Sequence, residues 1–225
     1  SRWDESAELF RRLLGASPND FVSHSYLGKI YQQLGQVDDA IWHTERSYDQ
    51  QPNNNEIIDL LRTLYKKHRG QDIQRLQLTA SAVAQQHIRN NLYPQAIAVL
   101  NKALERYSNR IDLQVLRTRA LWHAERYVDA AESAVDVLAV LPYSLTANRI
   151  LTELWLMEQR PSDAQRYLSR IEDLAPDLAY RLATGENAPE SLITIEELDY
   201  EAISRHELAT ANPDWLNTLS DVESL

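Results

Sequence analysis

Six histidines, His24, His43, His68, His87, His123 and His206, are the side chains best suited to move protons or hold a metal near neutral pH. Their spacing serves neither purpose. No two stand four apart, so no helix presents a pair of imidazoles to one ion as an HExxH motif does. Glu196 and Glu197 could pass for an acid/base pair, but adjacent residues in an acidic tail are not held in a working geometry and read as solvated. With no cysteine there is no thiol nucleophile, thiolate zinc site or disulfide. The five glycines form neither a GxGxxG motif nor a phosphate loop, and Gly35 and Gly70 read as turn formers. No nucleophile, base and oxyanion donor can be assembled from these residues. The sequence therefore predicts a non-catalytic chain with no metal or other cofactor.

What remains is the framework. Gly and Pro are scarce while Leu, Ala, Gln, Glu and Arg are plentiful, which favours helix. The 44% of apolar residues, with five Trp and eleven Tyr, suffices for a sizeable core. No apolar run is long enough to span a bilayer, so no membrane contact is expected. The opening SRWDESAELF has neither the basic nor the apolar region of a signal peptide, and it lacks a Met. The chain reads as an excised fragment of a cytoplasmic protein. Charge is unevenly spread. From Gly185 onward there are ten acids against Arg205 alone, whereas residues 1–184 hold 23 acids and 22 bases. The net charge of −10 argues against nucleic acid, whose phosphates need a basic stripe. Such an acidic segment cannot bury enough apolar surface to order itself. We expect a body over 1–184 and a largely irregular acidic tail or linker over 185–225.

The stretch LGKIYQQLGQVDDAIWHTERSYDQQP, residues 27–52, carries the organising pattern. His24, Leu27, Gly28 and Tyr31 are followed by Ala40 and Pro52. Pro18 and Pro52 are 34 apart, as are Pro142 and Pro176, and Ser108 keeps the same register. Ala40, Ala96, Ala130 and Ala164 each sit twelve positions before Pro52, Ser108, Pro142 and Pro176. Each unit offers two apolar-periodic segments too short to be stable alone. A small Ala lets the second approach the first, and a Pro ends it. This resembles the tetratricopeptide repeat (TPR) family, whose pattern is W-x2-L-G-x2-Y, A-x3-F and P over about 34 residues. His24 stands where the family has Trp and Thr44 where it has Phe. The short PDWL near the end is similar to Trp-Leu anchors in acidic tails of some bacterial TPR proteins.

The resemblance implies an all-α fold, a TPR-type α-solenoid in which antiparallel helix pairs wind into a right-handed superhelix. Helices are expected at 3–15, 20–33, 37–50, 54–68, 72–91, 94–107, 110–124, 127–140, 144–158, 161–174 and 177–183. One register break falls near 55–76, because Pro52 and Ser108 are 56 apart. The segment 72–91 would then serve both as partner of 54–68 and as first helix of the next repeat, dividing the body near residue 70. Segment 3–15 matches a second helix without a first, which leaves part of Trp3 and Phe10 exposed or covered by another copy, a route to homo-oligomers.

In the family, first helices line a concave peptide groove. By register the candidate groove residues here are Lys29, Gln33, Lys66, Lys67, Arg89, Arg119, Trp122 and Arg149. The full lining row holds six bases and four acids, which suits an extended peptide with acidic and apolar side chains. The Lys and Asn pattern of chaperone-binding TPRs is absent, with Ser25, Lys29 and Gln85 at the relevant positions. The implied function is a protein–protein interaction scaffold. The alternative is a sensor or regulatory module of a larger signalling or transcription-regulating protein whose effector domain is elsewhere. The tail, with Ile193, Ile195, Tyr200 and Trp215 among its acids, is itself a candidate intramolecular ligand for this groove.

Overall fold

The computed structural model describes residues 2–70, 73 and 75–189. The acidic tail beyond Pro189, with the expectations placed on it, lies outside the described residues. Within the unit Ser1–Ala188 the described residues form eleven helices and no strand: α1 (Arg2–Ala16), α2 (Phe21–Gln33), α3 (Val37–Gln50), α4 (Asn55–Arg69), α5 (Ala80–Arg89), α6 (Tyr93–Arg106), α7 (Ile111–His123), α8 (Tyr127–Val140), α9 (Leu145–Met157), α10 (Pro161–Glu172) and α11 (Pro176–Thr184). Sequential helices pair as α2 with α3, α5 with α6, α7 with α8 and α9 with α10, an α-solenoid.

The repeat spacing has direct physical causes. Ala40, Ala96, Ala130 and Ala164 are all buried to within 1%, and at each of these points the second helix of a pair lies close to its neighbours. Gly28 faces α3 so closely that a Cβ built on it would stand 2.6 Å from Thr44 Oγ1. Each first helix ends in the same way. Gly35, Asn91, Glu125 and Gln159 adopt positive φ of 57–73°. The next amide then donates back across the last turn, Gln36 to Tyr31, Leu92 to His87, Arg126 to Leu121 and Arg160 to Trp155, at 2.8–3.0 Å. Pro94 and Pro161 enter their helices in the first turn, where the missing N–H costs nothing.

The position where the family carries Trp does something different here. His24 Nε2 donates to the Pro18 carbonyl (3.0 Å), Gln114 Nε2 to Ser108 (2.7 Å) and Asn148 Nδ2 to Pro142 (3.0 Å), each reaching six residues back. Three polar side chains thus fasten three inter-repeat links. In the first repeat the device continues inward. His24 is 1% exposed and its Nδ1 lies 2.9 Å from Nδ1 of His43. Since His24 Nε2 carries the proton given to Pro18, its Nδ1 accepts and His43 Nδ1 donates. Burial is the main reason both imidazoles stay neutral, holding His24 down to about 4 and, with repulsion from His24, Arg11 and Arg46, His43 down to about 3. The unfolded chain protonates both near pH 6.5. Between that value and the folded pKa values the unfolded state binds more protons, so stability falls as pH drops. Asp49, whose carboxyl burial raises, works in the opposite sense. The urea midpoint should therefore decline between pH 6.5 and 4, by on the order of 1 kcal/mol per pH unit. His43→Gln should flatten that decline.

One predicted helix needs correction. In place of 72–91 the helix begins at Ala80, and residues 75–79 are not helical. Thr79 is the reason: its hydroxyl oxygen accepts the Ala82 amide at 3.1 Å, capping α5. Nor does α5 partner α4; it packs on α6 and, at its start, on α3. At the other end, Gly70 closes α4 with φ of 64°. The apolar core is divided accordingly. Leu27, Ile30, Tyr31, Ile41 and Leu64 form one cluster, and a small second one holds Tyr48, Ile57 and Leu61. A larger one runs from Ala84 to Tyr167. At the N-terminus α1 packs on α2, with Phe10 stacked on Tyr26 at 5.1 Å and Trp3 left 51% exposed.

Candidate functional site

Five of the eight candidate groove residues fall into two patches rather than one row, Lys29 and Gln33 in one and Arg89, Arg119 and Arg149 in the other. In the N-terminal patch, Lys29 on α2 ion-pairs with Glu56 of α4 at 2.5 Å. Lys29 and Gln33 line a cleft of about 470 Å³ with Trp3, Tyr26, Ile30 and Leu60. Lys66 and Lys67 do not join it. They sit exposed in the last turn of α4, where their charge complements the helix C-terminus.

The C-terminal patch is denser. Arg89, Arg119 and Arg149 come from α5, α7 and α9, the three successive first helices. The Arg119 guanidinium is held below its ordinary value, chiefly by burial and then by Arg149 and Arg89. Its Nε is buried and has no hydrogen-bond partner. His123, stacked on Tyr93, is lowered by burial and by Arg149 and Arg119. Against this positive group stands Glu153, 3.4 Å from Arg149 and itself raised by burial. Trp122 belongs to the wall instead, packing edge-on to Tyr127 of α8 at 4.9 Å. Chemically, the patch is a surplus of cation around the partly buried Arg119, which favours an anionic group that brings its own acceptors.

Sequence reasoning missed what borders this patch. Ser17, Pro18, Asn19 and Asp20, the turn between α1 and α2, line a cleft of about 230 Å³ together with Val115, Leu116, Arg119 and Thr146. Asn19 Nδ2 donates to the Asp112 carbonyl at 2.9 Å. The end of α3 arrives beside it: Gln85 Nε2 donates to the Asp49 carbonyl (3.4 Å) and Arg89 Nη2 to the Gln50 carbonyl (3.1 Å). Asp49, 1% exposed, ion-pairs with Arg46 at 3.0 Å and Arg110 at 3.6 Å and accepts the Thr79 hydroxyl. Arg110 in turn grips Asp112 through two bonds of 2.7 and 2.6 Å. The only advance signal was register, which marked Gln85 and Arg89 as groove positions without saying what would fill them.

A family model for the tetratricopeptide repeat matches residues 1–55 and 83–141, just over half of the chain. The chain belongs to the tetratricopeptide repeat family. Among solved TPR structures it is similar to MamA AMB-1, at 19% identity over 77% of this chain and 89% of that one, with a TM-score of 0.36. It is also similar to TTC0263, a thermophilic TPR protein in Thermus thermophilus, at 22% identity over 81% and 90% of the two chains, with a TM-score of 0.36. No curated protein matches. TPR domains generally mediate protein–protein interaction. Among the described residues no three His, Asp or Glu side chains form a metal-binding group, and no helix is long and apolar enough to cross a membrane.

Proposed function

We propose that this TPR chain is a non-catalytic scaffold, and that the face built by α5, α7 and α9 docks an extended protein segment bearing acidic and apolar side chains. One observation carries the reading: Arg119 is desolvated beside Arg89 and Arg149, with a buried Nε lacking a hydrogen-bond partner. A carboxylate placed there gains charge-assisted hydrogen bonds to a guanidinium that burial has partly stripped of water. The acidic segment beyond Pro189 has this chemistry and is a candidate competitor for outside ligands. Cytoplasmic residence and self-association through α1 complete the proposal.

A fluorescent peptide of alternating Glu and Leu is the probe. Anisotropy titration should show Arg119→Glu weakening binding by about tenfold or more, the loss expected for one charge-assisted contact. Arg126→Glu, in the exposed turn before α8, should leave it unchanged. Equal affinity for wild type and Arg119→Glu would overturn the reading.

A further inference from the structure

The basic face is not open. Of the positions that register assigns to it, Gln85 and Arg89 already hold two successive main-chain carbonyls, those of Asp49 and Gln50. Side chains gripping consecutive carbonyls from a groove wall is how an extended peptide is held. Beside them Asn19 bridges the two parts, donating to the Asp112 carbonyl while its Oδ1 accepts from Gln50 at 3.3 Å. Asp20, a carboxylate, lies in the same cleft as Arg119, although it serves as N-cap of α2 through the Ser23 amide. The turn therefore places a carboxylate and an amide on the wall of the cleft that Arg119 also lines.

We propose that the α1–α2 turn, residues 17–20, is a built-in occupant of the C-terminal face, which a protein ligand must displace to reach Arg119. This rests on the docking reading above. The turn is fastened to its own half of the molecule: Pro18 is buried and its carbonyl accepts from the buried His24. The turn's own hold on the other half is one neutral amide bond from Asn19, separate from the Asp49, Gln85 and Arg89 contacts made at the end of α3. Displacement then shifts Asn19 out of the cleft, breaking its bonds to Asp112 and Gln50, while α2, α3 and the Asp49 ion pairs stay in place. The ligand's apparent affinity is reduced by the fraction of molecules in which the turn is seated.

The chain has no cysteine, so a pair can be introduced cleanly. In Ser17→Cys/Thr146→Cys, both positions line the cleft, and a short bismaleimide bridges them. The bridged protein should lose binding of the Glu-Leu peptide that the unbridged double variant retains. Asn19→Ala should tighten binding by about fivefold, the effect of one lost hydrogen bond on the closed state. A readout without ligand is phenylglyoxal modification of Arg119, followed by mass spectrometry against exposed Arg126. It should be slow in wild type, faster in Asn19→Ala and slowest when bridged. Peptide binding that is the same bridged and unbridged would overturn the built-in occupant while leaving the docking reading intact. If no form binds the peptide, the docking reading fails, and equal Arg119 modification in wild type and Asn19→Ala then overturns the occupant as well.

Discussion

Asp49→Ala should destabilise the fold by about 3–5 kcal/mol, the cost of breaking a buried ion pair from one side. Asp49 lies at the end of α3 and pairs across to Arg110, just before α7. Its carboxylate, 1% exposed, faces Arg46 (6% exposed) and Arg110 and accepts the Thr79 hydroxyl. Burial pushes its pKa up while Arg46, the Thr79 bond and Arg110 pull it down, so the ionised form is tolerated only because those partners are present. Alanine leaves Arg46 without its closest partner and Thr79 without an acceptor. Asp49→Asn keeps an acceptor for Thr79 and should lose roughly half as much. Urea unfolding followed by Trp fluorescence measures both. A loss under about 1 kcal/mol for the alanine variant would place Asp49 among solvent-compensated pairs and contradict its part in joining α3 to Arg110.

Gly28→Leu should cost roughly 3 kcal/mol or more, because α2 and α3 leave no room for a side chain there. Even the first carbon would stand 2.6 Å from Thr44 Oγ1 and 3.4 Å from the Thr44 amide nitrogen. Thr44 has nowhere to retreat: it is fully buried, and its hydroxyl donates to the Ala40 carbonyl at 2.6 Å. Gly28→Ala sets about 1 kcal/mol of helix propensity against that overlap, so its loss should be smaller. Adding Thr44→Ala to Gly28→Ala should recover stability, since it removes the clashing atom. A double variant less stable than the sum of the singles would show that the close approach is not what requires glycine.

These two residues mark how far the sequence could be read. Gly28 was legible because its requirement recurs as a spacing: glycine on one helix, Ala40 and Thr44 on the next, and the same alanine position three more times. The start of α5 was not legible, because apolar periodicity before Ala80 outvoted a single capping threonine. His24 stood out as a departure from the family's Trp, yet its pairing with His43 depends on how α2 meets α3. Asp49 and Asn19 gave no signal at all. Their partners Arg110 and Asp112 lie 61 and 93 residues away in sequence, and a periodic pattern encodes neighbours within a repeat rather than contacts between distant ones. Register places Arg89, Arg119 and Arg149 close enough to form one basic patch, while Lys66, Lys67 and Trp122, on first helices by the same count, stand outside it. Whether those three arginines are a docking face is best settled by hydrogen exchange of the whole chain with and without the Glu-Leu peptide. Slower exchange in 80–89, 111–123 and 145–157, together with faster exchange in 17–20 as the turn is displaced, is the predicted result. Protection confined to the second helices, 93–106 and 127–140, with 17–20 unchanged, would contradict it.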